Sequence, residues 1–121
     1  MIRGLLIAFL IAHGLVHVAL WAPKFDPTSA PFDPSHSWLL GDRRLVAQVL
    51  AFIAAAVLVV AGIALWADAV WWQPTAVAGL VLSTVLLILY FHPWFLFILA
   101  INVALIVGIG WLGWPGAPTD A

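Results

Sequence analysis

Long apolar runs alternate with short polar breaks along this chain. Four stretches, 4–22, 45–67, 75–91 and 94–111, contain no charged residue. A transmembrane helix needs about 20 predominantly apolar residues, with a range of about 17–25, to cross about 30 Å of hydrocarbon. All four qualify by length, the third as the shortest. Leu, Ile, Val and Ala surround each run without a continuous polar face, which suits helices bathed in lipid and fits neither an amphipathic surface helix nor a coiled-coil seam. Strands of a membrane barrel would alternate polar and apolar residues, and these runs do not. The predicted fold is all-α: an integral membrane four-helix bundle forming a single transmembrane domain over residues 1–121. The first run resembles a secretory signal in having Arg3 before an apolar core. Leu20, Ala22 and Pro23 make a poor cleavage site, so a retained helix is expected.

The breaks carry their own signals. Residues 23–44 form the one substantial loop, and Phe25-Asp26-Pro27-Thr28 is followed in it by Phe32-Asp33-Pro34-Ser35. Asp before Pro is a helix-start signal, because the carboxylate caps and Pro fits the first helical position. A short interfacial helix over 34–40, ending at Gly41, is therefore expected, with Asp42 capping the second span. The whole loop is expected to be ordered and to cover one mouth of the bundle, with Phe25, Phe32 and Trp38 inserted at the interface. The 68–74 segment reads as a brief turn, and His92-Pro93 separates the last two spans as a tight hairpin.

An even number of spans places both termini on one face, side A, together with the Asp68 turn. Side B then holds the long loop and the His92 turn. Trp marks bilayer interfaces. Trp21, Trp38 and Trp94 fall at side B and Trp66, Trp71, Trp72, Trp111 and Trp114 at side A, which leaves none of the eight at mid-membrane. Lys24, Arg43 and Arg44 on side B outweigh Arg3 on side A, so the positive-inside rule favours side B within the cytoplasm. Arg43 and Arg44 read as contacts to lipid headgroups.

Composition agrees with the pattern. The chain of 121 residues is 66% hydrophobic and 7% charged, against about 45–50% and about 25% in soluble domains. A formal charge of −1 supplies no basic field, which excludes nucleic acid as a partner. Without cysteine the chain forms no disulfide, thiolate metal site or Cys nucleophile.

The polar residues converge on side B. His13 and His17 share one helix face a turn apart, continued by Trp21. Counting about 1.5 Å per residue from the side-B ends puts Gln48 and His17 about 6 Å deep, and His13, Asn102, Ser83 and Thr84 about 12–14 Å deep. His36, His92, Asp26, Asp33 and Asp42 belong to side B as well. Ionisable groups inside a membrane face a bundle interior or cavity and mark function or specific pairing, so a polar, His-rich cavity near side B is expected.

Three chemistries fit that cavity. A divalent metal ion would take His13 and His17 with a third ligand from His36, His92 or an Asp. The zincin motif is absent, since Gly14 stands where its Glu would be. Haem or chlorin would use a transmembrane imidazole, although an opposing histidine at matching depth is missing. The simplest reading is that neutral histidines hydrogen-bond across helices to Asn102, Ser83, Thr84 or Gln48.

The opening segment with His13-Gly14-Leu15-Val16-His17, and later Ser37-Trp38-Leu39-Leu40-Gly41-Asp42, resembles small bacterial membrane proteins that begin with a His-Gly-x-x-His helix. Some of these look broadly like the DoxX-type four-helix membrane proteins. The resemblance covers mainly the first third of the chain, and it implies a four-helix protein of the bacterial inner membrane without implying a reaction.

Function is narrowed chiefly by exclusion. The sequence has no phosphate-cradling Gly-Lys-Ser/Thr loop and no nucleophile with a backed base, and no charge occupies a span centre. Small-residue stretches at 54–56, 61–62 and 108–110 allow close helix contact. The expected role is an accessory or stabilising subunit of a larger membrane assembly, partnered by lipid and by other membrane subunits or further copies of itself. The alternative is a protein binding a metal or redox cofactor through His13 and His17.

Overall fold

Each apolar run folds as one continuous helix, because backbone groups in hydrocarbon find partners only within the segment itself. In a computed structural model that describes residues 1–22 and 36–116, the helices are α1 (Ile2–Trp21), α2 (Arg44–Trp66), α3 (Trp72–Leu89) and α4 (Leu96–Gly110). A 3-10 turn, Pro93–Phe95, leads directly into α4. The result is an all-α bundle of four helices, each long and apolar enough to cross a membrane when that turn is counted with α4. Large apolar side chains such as Leu5, Leu15, Phe52, Ile63 and Phe97 point outward. A contiguous apolar exterior of this kind is what a lipid-facing surface requires.

The helices pack in sequence order, α1 on α2, α2 on α3 and α3 on α4. α2 is the best enclosed, with 44% of its apolar window buried, against 22% for the last span. Its buried face, Ala47, Ala51, Ala54, Ala55, Leu58, Ala61, Gly62 and Leu65, recurs every three or four residues and is almost wholly small. Small side chains let backbones approach, which is how helices associate where no hydrophobic effect drives them together. A Cβ on Gly14 would stand 2.9 Å from the Ala55 carbonyl oxygen, and one on Gly62 would stand 2.7 Å from Ile11. The 108–110 stretch behaves differently from its predicted role. Gly108 is covered by the Trp114 indole of its own chain end, and Gly110 approaches another helix only at Val77, at 3.7 Å.

Two apolar clusters fill the interior. One, toward side A, joins Leu6, Leu10, Leu58, Leu65, Leu80 and Ile109. The other, toward side B, joins Trp21, Ala47, Ala51, Leu86, Tyr90 and Phe95. Trp21 therefore sits at the interface depth but turns inward, only 2% exposed. At side A, Arg3 forms an ion pair with Asp68 and donates to the Leu65 carbonyl, while Gln73 donates to the Ile109 carbonyl. The start of α1, the α2–α3 turn and the end of α4 thus share one end of the bundle. A cation over the last carbonyls of α2 also complements that helix's dipole.

The loop corrects two expectations. Residues 36–42 form a two-stranded antiparallel hairpin, His36–Ser37 with Gly41–Asp42, in place of a helix over 34–40. Ser37 decides this: its Oγ accepts from the amides of Leu39 and Leu40 at 3.2 and 3.1 Å, closing a turn, and Gly41 takes a φ of 75°. Asp42 does not cap α2, whose cap residue is Arg43; its carboxylate instead lies 2.8 Å from His36 Nδ1. The hairpin is fastened to side B by long-range bonds. Ser37 Oγ donates to the Leu89 carbonyl at 2.5 Å and Trp38 Nε1 to Ile88 at 2.6 Å, so carbonyls at the end of α3 that lack helical partners are met. Tyr90 Oη donates to the Arg43 carbonyl at 2.8 Å. Both Phe-Asp-Pro units, with Lys24, Asp26 and Asp33, lie outside the described residues, as does the predicted order of the loop's first half.

Candidate functional site

A single polar layer separates the two apolar clusters. Its members, His13 and His17 on α1, Ser83 on α3 and Asn102 on α4, are each buried. The spacing of the histidines puts both rings on the α1 face that turns inward between Leu10 and Trp21. Eight residues separate His13 from Trp21, a rise of about 12 Å, so the layer lies well inside the bundle.

The hydrogen atoms of this layer can be placed by elimination. His17 Nδ1 lies 2.7 Å from the His13 carbonyl oxygen, which only accepts, so Nδ1 carries a hydrogen; in the neutral ring that burial in an apolar bundle favours, Nε2 is then a lone pair. Ser83 Oγ, 2.7 Å from that Nε2, therefore donates to it. Asn102 Nδ2 donates to Ser83 Oγ at 2.9 Å, and to Thr84 Oγ1 at 3.3 Å. Its Oδ1 then faces His13 Nε2 at 2.9 Å and accepts from it. Thr84 spends its own hydrogen on the Leu80 carbonyl at 2.8 Å. The bonds run from the His13 ring through Asn102, Ser83 and His17 and return to the His13 backbone. With both buried rings neutral, as their apolar surroundings favour, each imidazole carries a single hydrogen.

This ring joins α1 to α3 and to α4 and leaves one group over. His17 has both nitrogens engaged and His13 has one, while the structure gives His13 Nδ1 no hydrogen-bond partner. Among the described residues no enclosed side-chain nitrogen or oxygen lacks a partner, so that nitrogen is not sealed in. The His13 ring lines a crevice between α1 and the start of α4, about 180 Å³ in volume, which Val16, Leu20, Leu87, Trp94 and Ile98 also border. The mouth is open, since Val16 is 47% and Trp94 65% exposed. An aromatic file runs past the crevice: Phe9, His13, His17 and Trp21 follow one another at centroid spacings of 5.2, 5.0 and 6.1 Å, Phe95 continues from Trp21 at 5.9 Å, and all but Phe9 line the space.

The other residues singled out from sequence are placed apart from the layer. Gln48 donates to the Trp21 carbonyl at 3.0 Å, closing the end of α1. His36 faces Asp42 in the hairpin. His92 caps the 3-10 turn, its Nδ1 accepting from the Trp94 amide at 3.2 Å, with its ring edge-on to Trp94 and Phe95. Among the described residues no three of His, Asp and Glu gather where they would hold one metal ion. Sequence reasoning missed the Arg3–Asp68 pair, although assigning both residues to side A was the available signal. The cavity expected near side B corresponds to this crevice, which His13 and His17 line but His36 and His92 do not, and whose other walls are apolar. Comparison with family models, with curated proteins and with solved structures gives no match to the chain.

Proposed function

We propose that this protein is a small accessory or stabilising subunit of a larger membrane assembly, and, from the resemblance of its opening segment, one of a bacterial inner membrane. The observation that carries the reading is the last helix. α4 packs along α3, stands off from α1, and leaves Leu96, Phe97, Val103 and Val107 uncovered while the centre of the bundle is closed on itself. Such a helix offers a long apolar flank to a neighbouring subunit. The polar layer supports the same role, because its side chains are spent on tying helices together. The alternative of a metal or redox cofactor on His13 and His17 draws less support, with only one of their four ring nitrogens open.

The test is cross-linking from α4 in native membranes. A photoreactive residue at Phe97, which is 74% exposed, is expected to capture one other polypeptide in a fixed ratio, and the extracted protein is expected to migrate as an assembly much larger than a 13.1 kDa chain. Adducts to lipid alone, together with a monomeric mass, would contradict the reading.

A further inference from the structure

We propose that the crevice between α1 and α4 is a binding site for the phenol head of a membrane-soluble compound, with its hydroxyl donating to His13 Nδ1. The site stands independently of the subunit reading.

Three features select this class of ligand. The first is an acceptor without a donor. His13 is 6% exposed, its Nε2 is committed to Asn102, and Nδ1 is left as a lone pair on a ring that lines the crevice. A neutral ligand with one O–H or N–H meets that lone pair, whereas a carboxylate or a ketone offers it nothing. A polar atom that opens toward hydrocarbon has no water to meet it, and no partner for Nδ1 is supplied from within the described residues. The second feature is size. A dry cavity of about 150 Å³ is enough for benzene, so about 180 Å³ takes one six-membered ring with a hydroxyl. The third is the lining, which includes the aromatic rings of Trp21, Phe95 and Trp94. Aromatic rings pack offset or edge-on against such walls, which favours a planar guest over a bulky aliphatic one.

The open mouth between Val16 and Trp94 then has a use. A ring seated against His13 can send a hydrocarbon substituent sideways into lipid, so the ligand enters from the bilayer and needs no aqueous path. No bond is made or broken, and the His13 ring acts only as an acceptor.

The proposal is tested with 4-fluorophenol and fluorobenzene, followed by fluorine NMR on the purified full-length chain in lipid nanodiscs. Both concentrations are referred to partitioning into empty discs. 4-Fluorophenol is expected to bind saturably and about fivefold more tightly than fluorobenzene, the difference one hydrogen bond makes. Ile98→Trp fills the crevice without touching the polar layer and is expected to abolish saturable binding of both. His13→Phe, where it folds, is expected to erase the difference between them. Equal affinities in the native protein, saturable binding that survives Ile98→Trp, or partitioning no different from empty discs would each overturn the proposal.

Discussion

Asn102 is the hinge of the polar layer, because its carbonyl serves α1 and its amide serves α3. Replacing it by Leu keeps the branched shape but strands a His13 N–H and leaves Ser83 without its donor. Leaving buried groups unpaired costs about 1–3 kcal/mol, more than the bond itself contributes. Asn102→Leu is therefore expected to lower unfolding stability in lipid or detergent by about 1–3 kcal/mol. Thr84→Val removes the longer 3.3 Å contact and a bond within its own helix while Asn102 keeps its bond to Ser83, and is expected to cost about 0.6 kcal/mol, less than Asn102→Leu. Equal losses for the two variants would argue against the assigned hydrogen positions. Much of this layer was legible in the sequence, since counting residues from the side-B ends at Trp21, His92 and Trp94 placed His13, Ser83 and Asn102 at similar depth. The hydrogen directions were not, because they depend on which atoms meet across helices.

Between α1 and α2 the contact is set by backbone approach, so Gly14 should be sensitive to an added methyl that Gly110 tolerates. Gly14→Ala drives a Cβ to 2.9 Å from the Ala55 carbonyl oxygen, and the helices have to separate; overpacking of this kind costs about 1–3 kcal/mol. Gly110→Ala meets only Val77 at 3.7 Å and is expected to be neutral within about 0.5 kcal/mol. Thermal unfolding of the two variants in one detergent checks the contrast, and a neutral Gly14→Ala would contradict the close packing. The four helices were readable from apolar runs because length and hydropathy settle a span locally. The hairpin was not. Asp33-Pro34 and Gly41 are stop and start signals that a helix and a turn share, and what chose between them was Ser37 reaching the Leu89 carbonyl, 52 residues away. Trp21 shows the same limit, since its depth was legible but its inward turn came from the Ala47 and Ala51 face it packs on.

Taken as one body, the molecule is a lipid-facing bundle with apolar clusters at both ends and a single polar layer between them. Sequential packing alone would leave α1 joined to α4 only indirectly. The bonds from His13 to Asn102 and from His17 to Ser83 draw the first, third and fourth helices together across 89 and 66 residues. They do so by a closed circuit in which each ring carries its hydrogen on a different nitrogen. That arrangement is what the account rests on, and it is observable directly. Nitrogen-15 solid-state NMR of ring-labelled histidine in lipid bilayers at pH 7, assigned by His13→Phe and His17→Phe, reports which nitrogen is protonated. The account predicts two neutral rings, His13 protonated at Nε2 and His17 at Nδ1. A His17 ring carrying its hydrogen on Nε2, or either ring doubly protonated, would contradict it.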